Sequence, residues 1–241
     1  MSIRASSLNL KIQSMAFSPL RSFRHWYQRC RYDRYWRSQP STWSYGITII
    51  DQALSTGNFT SVLDAGCGRG DVVQALNSRG IPTVGVDIAG AALPEGPEFV
   101  CCTLDRLPFS DQSFALTFCS EVLEHIPSGD IPGCLRELAR VTRDRLFLTI
   151  SLRPSSNHNA YHITLRPRTW WEDQMAAMPE WRKNTLLVDR FQRRGPFTNR
   201  EVLEKGPTKA IMGELNWFLS SEPYSLEGEL EPWYFVYDRV R

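Results

Sequence analysis

The chain has 241 residues, 42% of them hydrophobic and 22% charged. That excludes a peptide hormone, a disulfide-stapled miniprotein and a globally disordered chain, and leaves enough apolar material for a sizeable core. The formal charge of +2 is unevenly spread: residues 1–37 carry eight Lys/Arg against one acid, Asp33, a net +7, whereas residues 38–241 carry twenty basic and twenty-five acidic residues, a net −5.

From the N-terminus, the stretch from Met1 to Phe23 is Ser- and Arg-rich and lacks acids. It is compatible with an organelle transit peptide, an ordinary floppy leader is the preferred reading, and a secretory signal would need a longer apolar core. Phe23, Trp26, Tyr27 and Cys30 then recur at helical spacing, an apolar stripe beside basic residues. Trp43 to Leu54 predicts a helix closed by Gly57. A β/α alternation follows. Val62-Leu63 runs as a strand into a Gly-rich turn, Asp71 to Ser78 is helical with Gly80 beyond its end, and Thr83 to Asp87, Phe99 to Cys102 and Phe114 to Cys119 are strands. Ile131 to Val141 is helical and Leu146 to Ile150 strand-like, a cadence that predicts an α/β fold with a doubly wound, mainly parallel sheet. Beyond Ser151 come a Pro- and His-containing loop, a Trp-rich helix at Thr169 to Met178, a strand at Asn184 to Asp189, a turn-rich stretch over 193–231, and a final aromatic strand at Trp233 to Tyr237. The expected division is a basic head, 1–42, and a body, 43–241, with an insertion at about 151–180.

No apolar run approaches the roughly 18–20 residues of a membrane-spanning helix. Cys30, Cys67, Cys101, Cys102, Cys119 and Cys134 show no C-x-x-C spacing and read as reduced residues of a cytoplasmic protein, several of them in strand cores. No metal site is expected, because His125, His158 and His162 with Asp130 lack compact ligand spacing.

Four motifs carry chemistry. Val62 to Gly70 (VLDAGCGRG) is a strand ending in a turn whose glycines let the backbone approach a ligand, just before a helix N-terminus whose N–H groups suit an anion. A dinucleotide fingerprint would place a third glycine at position 71, where this chain has Asp71, so a zwitterionic amino-acid tail with an acid at Asp64 fits better than a pyrophosphate. Asp87 ends the next strand, where a carboxylate can accept from both hydroxyls of a ribose. Asp105 follows the third strand within LDRLPFSDQSF, and Ser120 to Ile126 (SEVLEHI) follows the fourth at its carboxyl end, where open α/β sheets bind ligands.

Taken together, VLDAGCGRG, GVD, LDRLPFSDQSF and CSEVLEHI resemble the class I S-adenosylmethionine-dependent methyltransferases, in particular the small-molecule branch with an EVLEHI signature, over roughly residues 60–150. The resemblance implies S-adenosyl-L-methionine as cofactor and a Rossmann-like sheet of seven strands, the last inserted antiparallel. It places Asp64, Gly66, Gly68 and Gly70 around the methionine portion, Asp87 on the ribose, Leu104 and Asp105 on the adenine, and the backbone around Cys119 and Ser120 beneath the sulfonium. N-terminal helices often close over the cofactor in such enzymes, which implies a lid role for the basic head. A peripheral membrane contact is the rival reading of that head, and no nucleic-acid partner is expected.

A neutral oxygen or nitrogen acceptor must lose a proton, and the histidines after the fourth and fifth strands are placed to take it: His162 first, then His158, then His125. Trp170 and Trp171 beside Arg166 and Arg168 offer a platform for a sugar or an anion, or else anchor their helix to the core. The reading is methyl transfer to a small molecule, with a sugar or glycan precursor preferred. Its rivals are a nicotinamide-dependent oxidoreductase of similar topology and a non-catalytic cofactor-binding module.

Overall fold

The computed structural model describes residues 19–39, 44–152, 161–192 and 234–240. The described elements are, in chain order, α1 (Pro19–Ser38), a 3-10 turn (Tyr45–Thr48), α2 (Ile50–Leu54), β1 (Val62–Ala65), α3 (Asp71–Ser78), β2 (Thr83–Asp87), β3 (Phe99–Cys101), β4 (Phe114–Ser120), a second 3-10 turn (Leu123–His125), α4 (Ile131–Val141), β5 (Thr142–Thr149), α5 (Arg168–Ala176), β6 (Trp181–Lys183), α6 (Thr185–Gln192) and β7 (Tyr234–Arg239).

The seven strands form one sheet in the order β3-β2-β1-β4-β5-β7-β6. The first five pair in parallel, and β7 is inserted antiparallel to both β5 and β6. This is the seven-stranded arrangement that the resemblance implies, with the last strand inserted antiparallel. The strand order reverses between β1 and β4, which opens a crevice at their carboxyl ends.

Alternation along the strands sorts side chains to two cores. Leu146, Leu148, Phe235 and Tyr237 pack with Leu135 and Leu138 of α4 and Trp171 of α5 on one face. Phe118, Phe147, Tyr234 and Val236 pack with Val72 and Leu76 of α3 and Val188 and Phe191 of α6 on the other. Because successive strand side chains point to opposite faces, central strands buried on both sides are mainly apolar, as Phe114–Cys119 is apart from Thr117, whose hydroxyl is paired with that of Thr142. Truncating a fully buried ring such as Phe147 would cost about 3–5 kcal/mol.

Three expectations need correction. Asn184 to Asp189 is the start of a helix: Asn184 Oδ1 accepts the Leu187 N–H at 3.0 Å, an N-cap, and Val188 and Phe191 then fall on one buried helical face while Leu186 is exposed. The helix expected from Trp43 is broken into a 3-10 turn and the short α2, with Trp43 itself outside the described residues. Finally, β5 begins at Thr142, straight from α4, because its polar first half is paired: Arg145 Nε bonds Asp238 Oδ1 of β7 at 2.5 Å. The leader, the turn-rich stretch 193–231 and Trp233 also lie outside the described residues.

Candidate active site

The turn after β1 is built from left-handed backbone. Gly66 and Gly68 adopt φ +84° and +53°, and neither has room for a side chain: a Cβ on Gly66 would meet Val122, and one on Gly68 would meet Trp36. The N–H groups of Gly66 and Cys67 both donate to Val86 O, tying the turn to β2. Asp71, the residue that breaks the dinucleotide pattern, accepts the Ser44 N–H on its Oδ2 at 2.6 Å and so staples the N-terminal segment to the start of α3.

Asp64 is buried at the end of β1, and its Oδ2 has no hydrogen-bond partner among the described residues. Burial, with Asp87 and Asp71 nearby, pushes its carboxyl up to about 8. Asp87 closes β2. Its Oδ2 accepts the Gly68 N–H at 2.9 Å and its Oδ1 the Ala89 N–H at 2.8 Å; burial raises its pKa while these bonds oppose the rise. The Leu104–Asp105 segment is held from α4, where Glu137 accepts the Leu107 N–H and Arg140 donates to Leu107 O and Phe109 O.

A cavity of about 370 Å³ connects these places, a size within the range of small-molecule sites. Gly66, Gly68, Asp87, Leu104, Asp105 and Ser120 line it. Of the other residues proposed from sequence, Asp64 sits buried behind the glycine turn, Gly70 packs under Phe99, and Cys119 is fully buried in the strand, its thiol pushed well up by that burial.

Glu121, which adopts φ +56°, His125 and His162 line the same cavity beyond Ser120. Segment 161–164 is bound tightly to the turn after β4. Tyr161 O is within 3.0 Å of His125 Nδ1, the N–H groups of Ile163 and Thr164 both reach Glu124 O at 2.9 Å, and Thr164 Oγ1 donates to Ile126 O at 2.6 Å. A carbonyl only accepts, so Nδ1 of His125 carries the proton and its Nε2 keeps a lone pair. Burial and the neighbouring His162 lower the His125 pKa to about 3, which leaves it neutral and a weak base. His162 meets it edge-on, ring centroids 4.8 Å apart. Glu124 is fully buried, accepts the Ser151 N–H on Oε1, and is pushed well up by that burial and by the adjacent Glu121. His158 lies outside the described residues.

Helix α1 covers the cavity, but not with the stripe read from its sequence. Phe23, Trp26 and Tyr27 are 64%, 58% and 56% exposed and point outward. The opposite face, His25, Gln28, Tyr32, Tyr35 and Trp36, lines the cavity. His25 Nε2 lies 3.5 Å from Asp105 Oδ2, and Arg24 3.4 Å from Asp130. At the other end Tyr32 and Tyr35 pack on Tyr161 with centroids 5.6 and 5.1 Å apart, and the Arg31 guanidinium lies 4.4 Å from the centre of the Tyr161 ring. Sequence reasoning missed this aromatic clamp because polar and aromatic residues alternate on that face, which weakens any amphipathic signal.

The tryptophan platform does not form. Trp171 is buried in the core and Arg168 is buried with it, bonded to Glu172 and to Tyr234 O, so the pair anchors α5. Trp170 packs against the same core, under Arg166.

Among known proteins, residues 63–148 match the family model for a methyltransferase domain. The chain is 29% identical over 174 residues to the biotin biosynthesis bifunctional protein BioHC of Cellvibrio japonicus, covering 69% of this chain and 30% of that protein. It is 32% identical over 108 residues to the ubiquinone biosynthesis O-methyltransferase of Hahella chejuensis, covering 39% and 45%. The chain thus spans less than half the length of these curated relatives. In fold it is similar to the 1,6-didemethyltoxoflavin-N1-methyltransferase of Burkholderia thailandensis, with a TM-score of 0.51, 17% identity, and coverage of 71% of this chain and 83% of that one. The matched strip runs from the strand before the glycine turn to β5 and holds every cofactor motif, so residues 63–148 form a methyltransferase domain.

Proposed function

We propose that this protein transfers the methyl group of S-adenosyl-L-methionine to an oxygen or nitrogen of a small molecule. The observation that carries the reading is that one cavity joins the glycine turn, Asp87 and Asp105 to the His125 and His162 end. The orphaned Asp64 Oδ2 behind the turn suits the ammonium of the cofactor's methionine portion. Gly66, Gly68 and Gly70 would shape the turn around that portion, Asp87 would accept from the ribose, Leu104 and Asp105 would hold the adenine, and the Cys119–Ser120 backbone would lie beneath the sulfonium. The cofactor supplies an activated methyl on a positive sulfur.

The chain's own work is alignment and proton removal. The bound cofactor would supply its methyl to the acceptor atom, and the acceptor's proton would leave at the His125 and His162 end of the cleft. Holding the reactants in line and excluding water supplies much of the acceleration, and α1 with its tyrosine clamp is the lid that does so. The relatives' names include an O-methyltransferase and C-methyltransferases, and the histidine end of the cleft, placed to take a proton, favours oxygen. The aromatic and polar lining from Tyr32, Tyr35, Tyr161 and His162 suits a hydroxylated acceptor, a sugar or glycan precursor by preference.

Incubation of the protein with the cofactor and extracts of its source cell should yield products heavier by one CH₂ in mass spectrometry. Stabilisation against heat by S-adenosylhomocysteine but not by NADH is expected; the reverse pattern would transfer the reading to a nicotinamide enzyme. Binding with no methylated product from any acceptor pool would favour a non-catalytic module.

A further inference from the structure

We propose that Glu124, His125 and His162 bind a divalent transition-metal cation at the acceptor end of the cleft. One carboxylate oxygen and one imidazole nitrogen from each histidine lie within 4.8 Å of one another. Ligand distances of about 2.0–2.2 Å place donor atoms roughly 3–4 Å apart around an ion, so the three converge on one by side-chain shifts on the order of 1 Å.

Two further observations point to a ligand. Glu124 is fully buried, Ser151 N–H satisfies its Oε1, and its carboxyl otherwise meets the carboxyl of Glu121. Two carboxyls brought together in a buried site are costly unless a proton or a cation lies between them. His125, for its part, donates Nδ1–H to Tyr161 O, the outer contact that fixes a metal-binding imidazole in the tautomer that presents Nε2. The three backbone and hydroxyl bonds from Ile163 and Thr164 to Glu124 and Ile126 hold the His162 segment against the other two ligands before any ion arrives. Glu121, beside Glu124 and lining the cavity, is a second carboxylate within the site.

Two imidazoles and a carboxylate select Mn, Fe, Co or Zn over Mg or Ca, and leave positions open on the cavity side. This inference rests on the methyl-transfer reading for its role: an acceptor hydroxyl in an open position would release its proton to water more readily, and the resulting oxygen would then attack the methyl carbon. His125 and His162 would then act together as ligands, in place of a single-histidine base.

The test is titration of chelator-treated, full-length protein with Co²⁺, followed by its visible absorption, with S-adenosylhomocysteine affinity measured in parallel. One equivalent of Co²⁺ with imidazole-type absorption is expected, its affinity falling at least tenfold in His162→Ala and in Glu124→Gln. The glutamine keeps an acceptor for Ser151 N–H, and unchanged S-adenosylhomocysteine affinity shows that each variant is folded. Absence of the absorption, or equal Co²⁺ affinity in folded variants and the parent, overturns the metal site and leaves the methyl-transfer reading standing. A Co²⁺ site without S-adenosylhomocysteine binding overturns the methyl-transfer reading instead.

Discussion

Trp36 of α1 fills the space over Gly68: a Cβ built on that glycine would stand 2.7 Å from Trp36 Cζ2. Helix α1 and the glycine turn are therefore in direct van der Waals contact, and Arg69 adds a hydrogen bond to Trp36 O at 2.8 Å. Gly68→Ala places a side chain at φ +53°, costing about 1–2 kcal/mol by conformation alone, and must also displace Trp36. We expect a melting temperature lower by several degrees and S-adenosylhomocysteine binding weakened about tenfold or more, both measured on the full chain.

Trp36→Ala separates closure from folding. The residue contributes to the clamp through its edge-on contact with Tyr35 at 5.4 Å but belongs to neither core cluster. An aromatic pair of this kind is worth about 0.5–1.5 kcal/mol beyond its buried area. The expected result is a cofactor affinity reduced several-fold with a urea midpoint close to that of the parent, and unchanged affinity would remove the lid role of α1.

Asp64 makes apo stability depend on pH in an unusual direction. Its carboxyl, ordinarily near 3.8, is pushed up to about 8 by burial and by Asp87 and Asp71. Between these values the folded chain holds a proton that the unfolded chain has released, so this group's contribution to stability falls as pH rises from about 4 to 8. Asp64→Asn should flatten that part of the melting-temperature profile. It should also weaken S-adenosylhomocysteine binding, since the amide cannot pair with an ammonium as a carboxylate does.

Asn184 is a purely architectural position. Its side chain caps α6 at Leu187 N and bonds Asp238 Oδ2 at 2.7 Å, while its own N–H donates to Val236 O. Asn184→Ala should cost about 1–2 kcal/mol for the lost cap, read as a shift in urea midpoint, with cofactor affinity unaltered.

What was legible in the sequence follows from how local each signal is. Thr83–Asp87, Asp71–Ser78 and Ile131–Val141 were readable residue for residue because each combines its own periodicity with glycine or acid punctuation. The capping of α6 was overlooked because Leu187 and Val188 look β-prone until Asn184 is recognised as a helix start. Thr142–Arg145 falls outside the predicted strand because the polarity of Arg145 is satisfied by Asp238, remote in sequence. The same remoteness hid the histidine end of the cleft: Glu124 O accepts from the N–H groups of Ile163 and Thr164, next to His162, bonds that no spacing rule reports. The aromatic stripe of α1 was visible but faces outward, since burial of the opposite face depends on where the glycine turn presents Gly68.

Calorimetric titration of the full chain with S-adenosylhomocysteine tests the central claim most directly. One molecule per chain is expected to bind, with affinity lost in Asp64→Asn and Gly68→Ala, whereas no binding at millimolar ligand to folded protein would contradict the account.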